Sequence, residues 1–347
     1  MRILVTGNLG YVGTVMTPLL KAAGHEVWGY DTGYYERCLL GPLGETGVDR
    51  QIAKDIRQAD ANDLVGVEAV VHLAALSNDP TGELDPKLTE EINFGGSMRL
   101  ADAAKRAGVS RFLFASSCSI YGQSDGGALT EEAEFNPLTA YAVSKVRTEA
   151  ALHELADDSF SPVCLRNATA YGFSPRLRFD VVVNNLTGWA VTTGQVRLQS
   201  DGRAWRPLVH VEDMANAFLA ALAAPRERVH DQALNVGREE DNRQIRDLAE
   251  SIARIVPGCA VTIAEGASSD PRNYNVSFAR IRQVLPGFSP RWDIDRGIRQ
   301  LHDQFVGLGL TYDHFNGRDF TRLKQLQYLI ATDRVGRDLR WTPGRAA

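Results

Sequence analysis

Cysteine is scarce. Cys38, Cys118, Cys164 and Cys259 stand at irregular spacing in 347 residues, which supplies neither a disulfide framework nor the paired knuckles of a zinc site. Reduced, mostly buried thiols are expected, and no metal. No apolar run is long enough to span a bilayer. Met1-Arg2-Ile3-Leu4-Val5-Thr6-Gly7 runs straight into a strand pattern, leaving no room for the charged start, apolar stretch and cleavage site of a secretory signal. A cytoplasmic chain with no membrane partner is expected. Positive charge is not in excess either: 38 Lys and Arg against 43 Asp and Glu give a formal net charge of -5. Nucleic acid is therefore not an expected partner, and any phosphate recognition rests on a few placed arginines. Internal repeats and low-complexity linkers are also missing.

What is present is ordinary globular composition, 44% hydrophobic and 23% charged, in a chain long enough for one large domain and a second lobe. The first half alternates short apolar runs with amphipathic stretches, the signature of strand-helix-strand units around a parallel sheet. Ile3-Leu4-Val5, Val27 to Tyr30, Ala69 to Leu73 and Phe112 to Ala115 read as strands. Val12 to Ala23 and Glu91 to Ala107 read as helices, closing at Gly24 and Gly108. After about Asn167, loops carrying Gly, Pro and Arg alternate with short strands. The expected architecture is α/β: a Rossmann-type doubly wound parallel sheet over residues 1–166, then a smaller α/β substrate lobe over 167–347. That lobe is interleaved with the last sheet strands and ends in a helical extension, Phe320 to Ala331.

Gly7-Asn8-Leu9-Gly10-Tyr11-Val12-Gly13 follows the first strand and opens a helix, where glycines let backbone amides approach a pyrophosphate. The spacing is G-x-x-G-x-x-G, not the simplest fingerprint, and glycines also mark ordinary turns. Asp31 ends the second strand, where a carboxylate can accept from both ribose hydroxyls and repel a 2'-phosphate. No arginine follows it directly, so NAD is preferred to NADP. Tyr141 and Lys145 stand four residues apart, on one helix face, and a nearby cation favours a phenolate base. Ala115-Ser116-Ser117-Cys118-Ser119-Ile120-Tyr121-Gly122 leaves a strand at the carboxyl edge of the sheet, where open sheets bind ligands.

Together and in this order, these elements resemble the extended short-chain dehydrogenase/reductase superfamily, in particular its NAD-dependent nucleotide-sugar epimerase and dehydratase branch, over roughly Met1 to Phe305. The resemblance implies Ser117 as catalytic serine, Tyr141 as base and Lys145 as its partner and ribose anchor. It implies cofactor contacts from Gly7, Leu9, Gly10, Tyr11, Val12, Gly13, Asp31, Asp55, Ile56, Leu73, Ala74, Ala75, Asn93 and Ser116. For the diphosphate and sugar it implies Ser77, Ser117, Thr169, Asn185, Leu186, Arg206 and Arg272; a surface ion pair is the plainer explanation of either arginine. Three departures stand out. Thr169 replaces a frequent asparagine, Cys118-Ser119 replace the Asp-Glu pair of 4,6-dehydrating relatives, and Cys118 sits one position off the cysteine of 3,5-epimerising ones, so it is expected to be structural.

The activity so implied is an epimerase working through a transient keto-sugar with NAD held in place. A net keto-sugar nucleotide reductase or dehydrogenase is the alternative, and a non-catalytic NAD sensor a third, against which intact Ser117, Tyr141 and Lys145 argue. A homodimer through Glu91 to Ala107 and Tyr141 to Ala156 is implied too. The tail around Tyr312, Phe315 and Arg322 is expected to lie over the sugar.

Overall fold

In the computed structural model, which describes residues 1–42, 44, 47–77, 85–124, 126–268, 270 and 272–344, Arg2–Thr6 forms β1, buried from Ile3 onward. Around it lie β2 (Glu26–Asp31), β3 (Arg50–Ala53), β4 (Ala69–His72), β5 (Arg111–Ser117), β6 (Ser161–Asn167) and, far along the chain, β10 (Gln232–Val236). These make a parallel seven-stranded sheet in the order β10-β6-β5-β4-β1-β2-β3. The near-continuous Val, Ile, Leu and Phe of its central strands are what a sheet covered on both faces requires. Strand order reverses between β1 and β4, which places a crevice at their carboxyl ends.

Helix α1 (Gly13–Ala22) ends at Gly24, whose φ of +82° suits glycine alone among common residues. Where a regular helix over Glu91 to Ala107 is expected, the chain instead forms a short turn at Pro86–Thr89, a π-helical stretch at Glu90–Gly96 and then α2 (Ser97–Arg106). Gly96 sits where a Cβ would meet Ile56 Cδ1 at 2.9 Å, and π-bulges of this kind gather at functional sites. Helix α3 (Ala140–Leu155) carries Tyr141 and Lys145.

Two small sheets form the second lobe. β7 (Thr169–Tyr171), β9 (Trp205–His210) and β11 (Asn242–Gln244) run in the order β11-β9-β7, and β8 (Gln195–Ser200) pairs with β12 (Ala260–Ser268). Helices α4 (Val182–Thr193), α5 (Val211–Ala223), α6 (Ile245–Ile255) and α7 (Ile294–Gly307) complete the body. Beyond it the chain adds α8 (Tyr312–Asn316) and α9 (Arg322–Ala331). A separate apolar cluster built on Leu177, Val183, Leu248, Ile298 and Phe305 also takes in Tyr11 and Leu40.

A buried polar chain crosses the sheet beneath the crevice. Ser97 Oγ donates its one proton to the Asn93 carbonyl, so it accepts from His72 Nε2 at 2.7 Å. His72 Nδ1 is then the acceptor, taking the Thr6 hydroxyl proton at 2.6 Å, and Thr6 Oγ1 accepts from the Ala74 amide at 3.3 Å. The chain is complete only with a neutral imidazole. Burial, followed by the Lys145 ammonium, pushes His72 down to about 3.

An unfolded chain would bind a proton at this histidine below its ordinary value of 6.5, whereas the folded chain refuses it until about pH 3. Stability is therefore expected to fall as pH drops from 6.5, by up to about 1.4 kcal/mol per unit from this group. Urea unfolding of His72→Gln between pH 6 and 4.5 should show a correspondingly shallower slope than wild type; equal slopes would refute the assignment.

Candidate active site

The crevice opens into a cavity of about 1090 Å³ walled by both lobes. Gly7, Gly10, Tyr11, Val12, Gly13, Asp31, Asp55, Ile56, Leu73, Ala74 and Ala75 line one part of it. Gly7 has φ +72°, and a Cβ there would meet Ala74 N at 2.9 Å; at Gly13 it would meet the Gly7 carbonyl oxygen at 2.3 Å. Only glycine lets the turn pack this closely on the Leu73–Ala74 backbone and on itself, which leaves backbone amides at the start of α1 to face a ligand. Asp31 accepts from the amides of Leu9 at 3.1 Å and Gly33 at 2.8 Å. Burial raises its pKa, while those bonds and nearby Arg176 and Arg322 pull the other way. A glycine cradle followed by a carboxylate at the next strand end is the donor and acceptor set of an NAD dinucleotide.

Two expected cofactor residues do not line the cavity. Leu9 serves through its amide on Asp31. Asn93 is buried, its amide bonded to the Leu76 N–H at 2.8 Å and the Leu76 carbonyl at 3.2 Å. Its Nδ2 also reaches Ser144 Oγ at 3.3 Å, and that hydroxyl donates to the Tyr141 carbonyl at 2.7 Å. Its place in the π-helical stretch turns it toward the loop and α3. Asp55 does line the cavity, with its carboxylate gripped by Arg57 at 2.6 Å.

Ser116, Ser117, Tyr141 and Lys145 meet on the same wall. Ser117 leaves β5 as the cap of a short 3-10 turn, its Oγ accepting from the Ser119 amide at 3.2 Å. Thr139 caps α3 through the Ala142 amide. Lys145 Nζ donates to the Ala115 carbonyl at 2.7 Å and stands 5.4 Å from the centre of the Tyr141 ring. Burial pushes this ammonium down to about 7, with the Glu149 carboxylate working against it.

Glu149 escaped the sequence reading, although it lies one further turn along the Tyr141 and Lys145 face. It is buried, accepts the Ser116 hydroxyl, and forms a bidentate pair with Arg166, Nη2 to Oε2 at 2.8 Å. Arg166 Nη1 goes on to Tyr121 Oη at 3.0 Å and the Glu131 carbonyl at 2.9 Å, and Tyr121 donates to Asn235 at 2.8 Å. Cys118 is buried, its thiol donates to the Arg166 carbonyl, and burial pushes its pKa up.

Ser77, Thr169, Asn185, Leu186, Arg206 and Arg272 line the cavity as well. Asn185 Nδ2 is held by the Phe179 carbonyl at 2.8 Å. Arg206 and Arg272 converge on one carboxylate, Asp270, at 2.7 Å and 3.0 Å. They are ion-paired and on the cavity wall at once. Ser77 is fixed by Arg178, which pairs with Asp180 at 2.7 Å. Arg178 and Ser119 also line the cavity and have no role in the sequence reading; Ser119 Oγ is buried without a partner. Asn184, beside the expected Asn185, binds Gly172 and Tyr11 and so joins the glycine turn to the second lobe.

The expected cover over the sugar is corrected in part. Tyr312 and Phe315 pack on Trp189, at ring separations of 5.7 and 5.3 Å, and Phe315 also on Phe179. Only Arg322 of that trio reaches the cavity wall.

A family model described as NAD dependent epimerase/dehydratase family matches residues 3–237. A UDP-glucose 4-epimerase of Mycolicibacterium smegmatis is 29% identical over 323 residues, covering 88% of this chain and 98% of that protein. A UDP-glucose 4-epimerase of Corynebacterium glutamicum is 28% identical, covering 84% of this chain and 91% of that protein. Among solved structures, MoeE5 in complex with UDP-glucose and NAD matches with a TM-score of 0.75 at 28% identity, over 88% of this chain and 99% of that one.

Removing one partner of a buried ion pair leaves the other uncompensated. Glu149→Leu is therefore expected to lower stability by about 3–5 kcal/mol, and Glu149→Leu with Arg166→Met to recover most of that loss. Chemical denaturation of the three proteins tests this; a double variant no better than the single would show that the pair is not the source.

Proposed function

This chain belongs to the NAD dependent epimerase/dehydratase family, and from that premise we propose that it is an NAD-dependent nucleotide-sugar epimerase acting through a transient keto-sugar. The observation that carries the reading is a single cavity that joins the glycine cradle and Asp31 to Ser117, Tyr141 and Lys145, and these to Arg206 and Arg272. Bound NAD supplies the acceptor, and on return the donor, of a hydride.

Within that site the chain's own groups divide the work. Tyr141 takes the proton of a ring hydroxyl and gives it back after the sugar has presented its other face. Lys145, charged, favours the phenolate and anchors a ribose. Ser117 orients the reacting hydroxyl, and Arg206 and Arg272 bind the diphosphate with planar, always-charged forks. Leu73, Ala74 and Ala75 would hold the dinucleotide along its length, Asp55 and Ile56 its adenine, and Ser77, Thr169, Asn185 and Leu186 the sugar nucleotide. Cys118 and Ser119 offer no acid pair for 4,6-dehydration.

The proposal includes a homodimer through α2, α3 and the π-helical stretch, whose outer side leaves Val143 39% exposed and Phe94 and Met98 partly so. A cytoplasmic setting is supported by four unpaired thiols. No described helix is long and apolar enough to cross a membrane.

The test is to denature the purified protein, identify the released cofactor, and incubate fresh protein with UDP-, GDP-, dTDP- and CDP-sugars in deuterated water under NMR. A new stereoisomer without net change in cofactor redox state is expected, and Tyr141→Phe should lose about 100-fold or more of the rate while keeping its NAD. Stoichiometric consumption of added cofactor would replace the epimerase with a net reductase or dehydrogenase. Unimpaired turnover by Tyr141→Phe would remove that residue from the mechanism.

A further inference from the structure

The segment after α7 lies outside the family-matched residues 3–237, yet it folds back onto the edge of the Rossmann sheet. Its first part packs on Phe179 and Trp189, and its last part reaches the chain that follows Asp31 and Arg57. Trp341 Nε1 donates to the Thr32 carbonyl at 2.6 Å, Tyr34 Oη donates to the Leu339 carbonyl, and Gln325 Nε2 donates to the Tyr34 carbonyl at 3.1 Å. Arg57, which grips Asp55, donates to the Asp338 carbonyl at 2.9 Å. Thr32, Tyr34 and Asp55 are cavity wall, so this tail backs the part of the wall assigned to the adenosine.

Arg322, at the start of α9, lines the same cavity and is 3% exposed. Its guanidinium lies 4.3 Å from the centre of the Tyr35 ring, and Nη2 donates to the Arg176 carbonyl at 2.9 Å. Nη1 is buried without a hydrogen-bond partner. A buried cationic donor left unspent is costly, and an anionic oxygen is what would satisfy it. Tyr35, against which Arg322 lies, and Tyr34, whose carbonyl Gln325 of the same helix holds, both line the cavity just after Asp31, which puts the start of α9 at the dinucleotide end.

Building on the NAD reading above, we propose that the C-terminal segment is part of the dinucleotide site: it fastens the adenosine wall, and Arg322 binds a phosphate oxygen of the dinucleotide, so that NAD stays on the protein between turnovers. An epimerase needs this retention, because the hydride must return from the molecule that took it.

The test counts NAD released per denatured chain and follows exchange of bound NAD against isotope-labelled NAD. It compares wild type, Arg322→Gln, Trp341→Phe and a control, Lys324→Ala, whose ammonium holds Asn316 within the same segment at 2.8 Å. Exchange should quicken about tenfold or more in Arg322→Gln and roughly fivefold in Trp341→Phe, as lost charged and neutral hydrogen bonds predict, with the control at the wild-type rate. Should Arg322→Gln not fold, Arg322→Lys takes its place, keeping the charge without the fork, and is expected to exchange at an intermediate rate. Wild-type occupancy and exchange in the Arg322 and Trp341 variants would overturn the proposal, as would equal quickening in Lys324→Ala. Quickening in only one of the two overturns the role given to the other. A wild type that neither carries nor binds NAD refutes the underlying cofactor reading and this proposal with it; one that carries NAD beside unaffected variants refutes the proposal alone.

Discussion

The hydrogen-bond chain through His72 is the constraint on which the site depends. It starts at the Ala74 amide, passes through Thr6, His72 and Ser97 to the Asn93 backbone, and continues from the Asn93 side chain through Ser144 to the Tyr141 carbonyl. One buried run of polar groups thus sets the loop along the dinucleotide wall and the start of the Tyr141 helix in relation to the same strands. Each hydroxyl in it has a single proton with a single destination, which fixes direction as well as distance. The π-helical stretch at Glu90–Gly96 is the backbone counterpart. It brings Asn93 to where one side chain can hold both partners of Leu76.

A second buried network fixes the other side. Glu149 binds Ser116 and Arg166, and Arg166 binds Tyr121. The exit of β5, helix α3 and strand β6 are thereby tied at one carboxylate. Lys145 adds a direct tie from α3 to the Ala115 carbonyl. Such networks are worth much when fully satisfied and cost much when broken, which suits a site where a phenol, an ammonium and a serine must keep their places.

Much of this was legible in the sequence because it is local. Ile3 to Thr6 running into a glycine turn, Asp31 at a strand end, and Tyr141 four residues before Lys145 are each written within one or two elements. What escaped lies between elements. β3 was missed because an edge strand reading Arg-Gln-Ile-Ala, mostly exposed, carries charge where a buried strand would show apolar residues. Asn93 enters as a cofactor contact through the resemblance alone, which carries no sign of the π-helical stretch that holds it. Arg206 and Arg272 were legible as cavity cations, but their shared Asp270 comes from pairing across 64 residues. Ser119 and Arg178 gained their importance only when distant segments met.

Strand β10 returns to the large sheet beside β6, pairing Gln232 to Val236 with Val163 to Asn167, when about half of the second lobe has been built. That lobe is therefore a loop of structure with both feet planted on neighbouring strands, and it resumes after β10 with β11 and α6. Two consequences follow for anyone transplanting it. No single cut separates a cofactor half from a sugar half, so a hybrid with a relative's lobe needs at least two junctions flanking β10. Because β6 and β10 are hydrogen-bonded neighbours, exchange of specificity by grafting must preserve that pairing before any side chain in the cavity matters.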